Sequence, residues 1–521
     1  MTMRQPPEPA RHARRARWSG LGLVAVSLAL LSQAVFHWWP RTVDDAFITF
    51  RYAQNLVDGF GPVYNPGEQV EGYSSPSWML ASAAAIAAGV DPVAAAKWAG
   101  LLAAAALVLA IYLALRASGV RGWGAGLATL VAGASFVVQL WSVSGMETTV
   151  YALLFFIGLM FAACGGKSVR GASWSSALLA VAALTRPEGL LFWALGFGAI
   201  AVGSGRVFRR MLAYAVPGLA IALHFAWRML YYGVPLPNTY YAKTGGGLRM
   251  WRQGFDAMGG FVSDPAHALW LTAAVVGLLA GLARRDTRRA AGIVGLSVLV
   301  YLLYIASVGD DGLFIHRFYV PIIAPLAYLI GLLFYDDRSR PTDPVTDRSW
   351  WLAAVGVFAV VVGAALSVQK FYAQILPNLE RSLTPYLEGN IKLGRHLAAA
   401  RDPDTLIAVP SAGAIPFYSR LRTIDMYGLN DAHIGRGSFP VGAPGHMMKW
   451  DNSYVLSRRP DLIVLNRGYV RAGESPDASA SPMDLDLIQR LRLHGDYALG
   501  EIDFDDGSRF YVFERLPDAT P

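Results

Sequence analysis

Eleven apolar stretches of 14 to 25 residues decide what this chain of 521 residues can fold into. A transmembrane helix needs about 20 mostly apolar residues, and here 54% of residues are hydrophobic while only 16% are charged. The sequence therefore predicts a polytopic α-helical membrane protein. The stretches lie near residues 18–38, 93–117, 123–140, 147–165, 172–185, 187–203, 211–231, 266–283, 289–308, 316–335 and 349–369.

The distribution of Lys and Arg predicts how these stretches are oriented. Loops rich in basic residues stay cytoplasmic, so the N-terminus is predicted inside and everything after Phe371 outside. Segment 76–90 is apolar but short, and counting it as a span would reverse every later loop; it is predicted to lie at the outer interface. The basic segments are residues 11–17, 116–121, 167–170, 206–210, 284–289 and 338–348.

The overall charge and the cysteine count exclude several classes of partner and site. The net charge of +8 is carried largely by these loops, which meet anionic lipid headgroups, so it does not indicate a nucleic acid. The single cysteine, Cys164, excludes an internal disulfide and a cysteine-rich metal site. The first stretch could instead be a cleaved signal peptide, but no small-residue cleavage site precedes the Asp pair that follows.

The chain divides into two predicted domains. Residues 1–370 form a transmembrane module whose first outer loop spans 40–90, and residues 371–521 are largely too polar for lipid and form a soluble, extracytoplasmic α/β domain. The runs expected as strands are 405–410, 461–466 and 509–515, and those expected as helices are 388–400 and 484–493.

Charged side chains are concentrated in the outward connections, above all in the first loop. Asp44 and Asp45 follow the first apolar stretch, and Arg51 and Glu71 lie further along the same loop. Carboxylates at a membrane edge are costly, so they indicate a reaction centre. Alternatively, an Asp caps the helix that starts at Ala46. Both hold if one Asp caps and its neighbour faces a substrate.

Two short outward turns place further charges at membrane depth. Glu147 lies in the turn SGMET, and Arg186 and Glu188 lie in the turn TRPEG. A charge buried there must be paired or must meet a ligand. The alternatives are therefore a structural ion pair of Arg186 with one of the glutamates, or a binding role for these side chains.

The soluble domain contains a polar cluster between short apolar runs. Asx turns around the nearby glycines are one explanation, and sugar binding is another. A metal site is disfavoured by the irregular spacing of the acidic and His residues. The turn 410–413 after the first strand could cradle a phosphate but is predicted to be an ordinary strand-to-helix turn. The cluster comprises Asp425, Asn430, Asp431, His433 and His446.

A series of motifs in one order carries a resemblance that covers most of the chain. The loop DDAFITFRYAQNLVDGFGPVYNPGEQVEGYSSPSW resembles the first outer loop of GT-C glycosyltransferases, and is most similar to that of the terminal β-(1→2)-arabinofuranosyltransferase type. The likeness continues through SGMET, TRPEG, YYGVPLPNTYYAK, HRFYVPIIAP and IDMYGLNDAHIGR. The resemblance implies transfer of a sugar from a polyprenyl-phosphate donor to a cell-envelope glycan outside the bacterial cytoplasmic membrane. It also implies that Asp44 or Asp45 acts as the general base, and Asp45 is preferred.

The chemistry of such a transfer requires few catalytic groups. A carboxylate that takes the proton of the attacking hydroxyl accelerates the reaction by about 10²–10⁴. The leaving polyprenyl phosphate is a stable anion and needs only cations to hold its charge. One base and one cationic clamp suffice for an inverting displacement, without the second catalytic carboxylate of a retaining glycosidase.

The remaining polar residues of the outward loops are assigned by their chemistry. No cofactor is required, and a divalent cation stays an open alternative because no ligand spacing demands one. Arg317 could also be an interfacial anchor. The donor-phosphate candidates are Lys243, Arg317, Arg186, His316 and Arg51, with Lys243 and Arg317 preferred. The sugar and acceptor candidates are Glu71, Tyr73, Glu147, Glu188, Asn238, Tyr240, Tyr241, Asp425, Asn430, Asp431 and His433.

Two other classes of function compete with the enzyme. A transporter would concentrate ionisable residues at the bilayer midplane and often show repeated halves, and the sequence shows neither. A non-catalytic membrane assembly or motility factor that keeps the same fold is the main alternative, because fold does not imply function.

Overall fold

The computed structural model describes residues 8–165, 168–202, 206–244, 247–309, 315–336, 349–439, 449–473 and 481–517. The helices are α1 Glu8–Trp38, α2 Asp44–Val57, α3 Pro76–Ala87, α4 Pro92–Ala117, α5 Gly122–Gly133, α6 Phe136–Ser142, α7 Thr148–Met160, α8 Val169–Thr185, α9 Gly189–Ala201, α10 Val207–Tyr232, α11 Asn238–Lys243, α12 Leu248–Val262, α13 Pro265–Ala283, α14 Arg288–Val308, α15 Val320–Gly331, α16 Ser349–Lys370, α17 Leu376–Asn378, α18 Thr384–Ala400, α19 Ala414–Ser419, α20 Ala432–Arg436, α21 Asn452–Ser457 and α22 Pro482–His494. The strands are β1 Leu406–Val409, β2 Arg422–Asp425, β3 Leu462–Val470, β4 Tyr497–Asp503 and β5 Arg509–Arg515.

Helices occupy all eleven positions at which apolar stretches were predicted. Within the described ranges, eight helices are long and apolar enough to cross a membrane. The pair α5 and α6, bent by 64°, makes a ninth if it counts as one span. The other two, α8 and α9, have 17 and 13 residues. The polytopic helical fold is therefore confirmed. The number of helices that cross the membrane stays a prediction. Their orientation also stays a prediction, since residues 338–348 and the side chains of residues 11–17 lie outside the described part of the chain.

Small residues let the central helices approach closely. α1 packs on α5, and a Cβ atom at Gly126 or Gly133 would overlap backbone atoms of Gly20 or Ser27. The hydroxyl groups of Ser27 and Thr129 lie 2.7 Å apart across this contact. Helices in lipid associate by close packing and interhelical hydrogen bonds, which explains why glycine stands at these positions.

The last part of the chain forms a five-stranded sheet in the order β2-β1-β3-β5-β4. β1 pairs in parallel with β2 and β3, whereas β5 is antiparallel to β3 and β4. One face packs under α18 and the other under α20, α21 and α22. The predicted α/β domain is present, and its three expected strands coincide with β1, β3 and β5. We call residues 384–517 the sheet domain.

No loop separates the helical module from the sheet domain. α16 continues through π-helical turns at Phe371–Ile375 and Leu379–Leu383 into α18, which covers the sheet. The boundary predicted at residues 370 and 371 therefore falls inside one helical run. The carboxyl ends of β1 and β2 face the helical module, and the connections that follow them contact α2 and α11.

Candidate functional site

The start of α2 brings the two adjacent aspartates to the junction of the two domains. The helix begins after Val43, whose amide donates to Ser144 O at 3.1 Å, so the SGMET turn supports this end. Val43 is the cap residue and has no side-chain cap bond. The alternative that an Asp caps its own helix is therefore wrong, because both aspartates lie in the first turn.

The Asp44 carboxylate is held by the sheet domain. One oxygen accepts hydrogen bonds from Asn390 Nδ2 and Ala414 N, each at 3.1 Å, and the other accepts from Gly413 N at 3.1 Å. Burial outweighs these bonds and raises the pKa of Asp44 to about 6. The turn 410–413, considered as a phosphate cradle, thus receives a carboxylate of the same chain.

The Asp45 carboxylate has different surroundings. Its side chain is 35% exposed, and Oδ2 lies 3.9 Å from Arg317 Nη1. The structure therefore brings together the preferred base and one of the two preferred phosphate ligands, although they are far apart in the sequence. That partial exposure leaves room for a substrate hydroxyl beside the carboxylate.

Arg317 is held between aromatic rings at the start of α15. Its guanidinium carbon lies 5.4 Å from the ring centres of both Trp141 and Phe318, within cation–π range. The Trp141 indole donates to Ile315 O at 3.1 Å, which fixes the preceding backbone. His316 adopts a left-handed φ of 51°, which turns the chain just before Arg317. The side chain of Arg317 is only 8% exposed, so the interfacial-anchor alternative does not fit.

The charges of the two short turns form a buried ion-pair network. Arg186 lies 2.7 Å from Glu147 Oε1 and 2.5 Å from Glu188 Oε1. The hydroxyls of Tyr301 and Tyr304 donate to Glu188 at 3.2 and 3.3 Å. The structure therefore shows the ion-pair alternative, in which Arg186 pairs with both Glu147 and Glu188. Arg186 is less suited to a phosphate than Arg317, because two carboxylates already balance its charge.

Three candidates from the outer loops have structural contacts that do not fit the roles expected of them. Glu71 is fully buried and pairs with Arg228 at 2.6 and 3.1 Å. Asn238 is also fully buried, and its amide nitrogen donates to the carbonyls of Gly428 and Asp431. Neither side chain reaches solvent in this structure, and the sugar-binding role expected of each stays a prediction.

Arg51 is the third of these. Its guanidinium donates to Tyr64 O at 2.7 Å, Pro416 O at 2.5 Å and Leu421 O at 2.8 Å, and to the Asn65 side chain at 3.1 Å. These bonds join α2 to the sheet domain and use all three nitrogens. The guanidinium is fully engaged by these bonds, and its expected role in binding donor phosphate stays a prediction.

The tyrosines and the remaining cations occupy varied environments. Tyr73 is buried with its hydroxyl 3.2 Å from that of Tyr232, which does not fit sugar binding. Tyr240 is 49% exposed and meets Tyr241 edge to face at 5.5 Å. Lys243 is half-buried at the end of α11. The binding roles of Tyr240, Tyr241, Lys243 and His316 stay predictions.

The polar cluster of the sheet domain consists of turns and caps. Asp425 accepts from Tyr427 N and from both nitrogens of Asn430 at 2.8–3.0 Å, and burial raises its pKa to about 6. Asp431 caps α20 by accepting from Ile434 N at 3.0 Å. The Asx-turn explanation therefore accounts for all three residues.

His433 is the exposed member of that cluster. Its ring stacks on Tyr454 with ring centres 4.0 Å apart, and Nε2 lies 3.1 Å from Asp451 Oδ2. His446 lies outside the described residues. Within the part of the chain that the structure describes, no three His, Cys, Asp or Glu side chains converge as metal ligands.

Several residues of the site escaped the sequence analysis. Asn390 holds Asp44 and Trp141 holds Arg317, but each lies in an ordinary helix pattern. The turn 410–413 was considered, but its contact with Asp44 through Gly413 was not foreseen. Arg228 lies within an apolar stretch. A lone charge in a predicted span was the one available signal, because such residues are conspicuously costly in lipid.

The fold and this site can now be compared with known proteins. The crystal structure of ArnT from Cupriavidus metallidurans bound to undecaprenyl phosphate superposes with a TM-score of 0.59 at 14% identity, covering 96% of this chain and 99% of that one. The architecture is that of the GT-C glycosyltransferases.

More specific similarity comes from sequence. The terminal β-(1→2)-arabinofuranosyltransferase of Mycobacterium tuberculosis is 29% identical over 50% of this chain and 46% of its own length. That of Corynebacterium glutamicum is 26% identical over 58% of this chain and 50% of its own. The chain is thus a homologue of these transferases and matches about half their length. A family model described as a domain of unknown function, DUF8728, matches residues 378–511.

Proposed function

We propose that the protein is an inverting glycosyltransferase that moves a sugar from a polyprenyl-phosphate donor to a cell-envelope glycan. The similarity to arabinofuranosyltransferases supports arabinofuranose or a similar pentose as that sugar. The membrane is the bacterial cytoplasmic one, with the N-terminus inside and the sheet domain outside. The observation that carries the proposal is the partly exposed Asp45 carboxylate 3.9 Å from Arg317.

Asp45 is the proposed general base. An acceptor hydroxyl at the exposed side of this carboxylate gives up its proton to Asp45 as its oxygen attacks the anomeric carbon of the donor sugar. The bond from that carbon to the phosphate oxygen breaks, and the electron pair leaves with the polyprenyl phosphate. Such a base accelerates transfer by about 10²–10⁴.

Arg317 is the proposed phosphate ligand. Its aromatic surroundings exclude water, and a cation in a dry site stabilises a leaving anion more strongly than one in solvent. Arg186 stacks on the same Phe318 ring at 5.5 Å but is neutralised by Glu147 and Glu188. The Arg186 network therefore packs against the Phe318 ring, which also contacts Arg317. Lys243 remains a second candidate for the phosphate.

A reconstituted transfer assay tests the proposal. Purified protein in liposomes is supplied with decaprenyl-phosphoryl arabinofuranose, or with other polyprenyl-phosphate sugars, and an extract of envelope glycan. Asp45→Asn and Arg317→Gln are compared with Asp91→Asn, which removes an exposed charge at the N-cap of α4, outside the site. We expect Asp45→Asn to lower kcat by about 10²–10⁴ with little change in donor KM, and Arg317→Gln to raise donor KM.

Two results would contradict the proposal. If Asp45→Asn transferred sugar at the wild-type rate, Asp45 would not be the general base. Failure of every donor with the wild-type protein would favour the assembly-factor alternative, in which the first loop is a binding surface.

A further inference from the structure

We propose that Asp44 is a positioning residue: its carboxylate fastens the start of α2 to the turn 410–413 and to the start of α19 in the sheet domain. This contact holds Asp45 beside Arg317. The inference rests on the proposed function for its effect on catalysis. The fastening itself is a property of the fold and is measured separately.

All three hydrogen bonds to the Asp44 carboxylate come from one side. Asn390 belongs to α18, the amide of Gly413 belongs to the turn after β1, and that of Ala414 begins α19. A carboxylate that accepts three such bonds is poorly placed to take a proton from a substrate as well. The Asp45 carboxylate, one residue later, is 35% exposed and lies 3.9 Å from Arg317 Nη1 instead.

The turn has a shape that only glycine permits at its centre. A Cβ atom at Gly413 would overlap both the backbone carbonyl and the carboxylate of Asp44. Next to it, the Ser411 hydroxyl is hydrogen-bonded to that of Tyr386, which ties the turn to α18. The backbones of Asp44 and Gly413 can therefore approach closely, because Gly413 has no side chain and Ser411 ties the turn to α18.

The first turn of α2 depends on this contact for its direction. The first turn of any helix contains amides without intrahelical partners, so it frays unless something else holds it. Here the Val43 amide bonds to Ser144 on one side, and Asp44 bonds to the sheet domain on the other. Asp45 is the next residue along the helix after these two attachments.

The experiment combines transfer kinetics with hydrogen–deuterium exchange of the full-length protein. The variants are Asp44→Asn, Asp44→Ala, Gly413→Ala and the double variant of Asp44→Ala with Gly413→Ala. Gly500→Ala is the matched control, because a Cβ there makes only ordinary contacts in the same domain. Gly413→Ala leaves both carboxylates intact, so its effect cannot come from loss of a base.

We expect kcat to fall by about 10²-fold in Gly413→Ala and Asp44→Ala, with donor KM nearly unchanged, because a displacement of about 1 Å costs that much. Asp44→Asn keeps an acceptor oxygen and should lose less activity than Asp44→Ala. The double variant should be no worse than either single variant, since both remove one contact. Amides of residues 45–50 should exchange faster in all of them and not in Gly500→Ala.

Unchanged exchange in Gly413→Ala would overturn the proposal. So would an Asp44→Asn variant as inactive as Asp45→Asn while Gly413→Ala keeps wild-type kcat, because Asp44 would then be the base. If the wild type transfers no sugar, the proposed function fails, and the exchange data still decide whether Asp44 fastens α2.

Discussion

Asp44 and Asp45 are chemically identical neighbours that the fold gives different surroundings. The Asp44 carboxylate accepts hydrogen bonds from Asn390, from the turn 410–413 and from the start of α19, whereas the Asp45 carboxylate lies beside Arg317. The titratable groups that face Asp44 are Asp45 on its own helix, Tyr386 on α18, and Tyr64 in the first loop. Because their partners differ, we expect the two aspartates to have different roles.

The raised pKa of Asp44 makes stability depend on pH. The folded-state pKa of about 6 exceeds the value of about 3.9 expected in the unfolded chain. Between these values the folded state binds more protons, so the contribution of Asp44 to stability is present below about pH 4 and is lost as pH rises to about 6. We expect the Tm of the wild type minus that of Asp44→Asn to decrease over this window in detergent-solubilised protein. If this Tm difference increased with pH, the predicted direction of the pH dependence would be contradicted.

Glu71 and Arg228 are buried side chains whose pairing can be tested by removing one charge. Their side chains are 0% and 5% exposed, and breaking a buried pair costs about 3–5 kcal/mol because one charge is left alone. We expect Glu71→Gln to lower the free energy of unfolding by about that amount. The exposed pair of Glu501 and Arg509 is the control, and Glu501→Gln should cost less than about 1 kcal/mol. A normal stability with a raised acceptor KM would restore the sugar-binding role of Glu71.

At the scale of elements, α2 is the joint between the helical module and the sheet domain. Its first turn is bound through Asp44, and its middle is bound through Arg51, which donates to the carbonyls of Pro416 and Leu421. Both attachments reach the same helix, α19, and the chain that follows it. The orientation of the candidate base therefore depends on how the sheet domain is seated.

Replacement of Arg51 separates a structural role from phosphate binding. Arg51→Met keeps most of the side-chain volume but leaves several buried carbonyls without a donor, each at a cost of about 1–3 kcal/mol. We expect a lower Tm and faster limited proteolysis between the sheet domain and α2. Arg420→Gln, which loses only the exposed contact with Asp58, serves as the control. A stable Arg51→Met protein whose only defect is a raised donor KM would contradict this assignment.

At the scale of the whole molecule, the carboxyl edge of the parallel strands closes onto the helical module. This edge is where open α/β sheets usually bind ligands. Here the connections after β1 and β2 are occupied by Asp44 and Asn238 from the helical module. We infer that the sheet domain positions the first loop, and that the turn 410–413 after β1 does not bind the donor phosphate.

Labelling of introduced thiols tests the orientation of the molecule. The native Cys164 is first replaced by Ser, and Asp505→Cys or Arg285→Cys is then added at exposed positions. With the positive-inside orientation, a membrane-impermeant maleimide should label the Asp505→Cys protein in intact spheroplasts, and the Arg285→Cys protein only after lysis. The protein in which only Cys164 is replaced is the control for background labelling. The reverse pattern would place the candidate site in the cytoplasm and exclude an extracytoplasmic acceptor.

Local patterns in the sequence were sufficient for the helices of the apolar stretches, for α18 and α22, and for three of the strands. Apolar stretches of about 20 residues predict helices wherever they occur, because a backbone in lipid must satisfy its own hydrogen bonds. β2 and β4 were missed, since both lie at the edges of the sheet and their sequences, RTID and YALGEID, include charged residues that weaken the apolar pattern. Propensity in such strands is weaker than the influence of the neighbouring strand.

Hydropathy and motif order were enough to predict the class of fold, the two-part organisation and a short list of charged residues. Which of these residues form a site depended on the folded chain, because a sequence does not say which charges meet. Arg317 became the partner of Asp45, while Arg51, Glu71 and Asn238 became parts of the scaffold. A buried charge must be paired wherever it lies, and whether its partner is a substrate or another residue depends on contacts between distant segments.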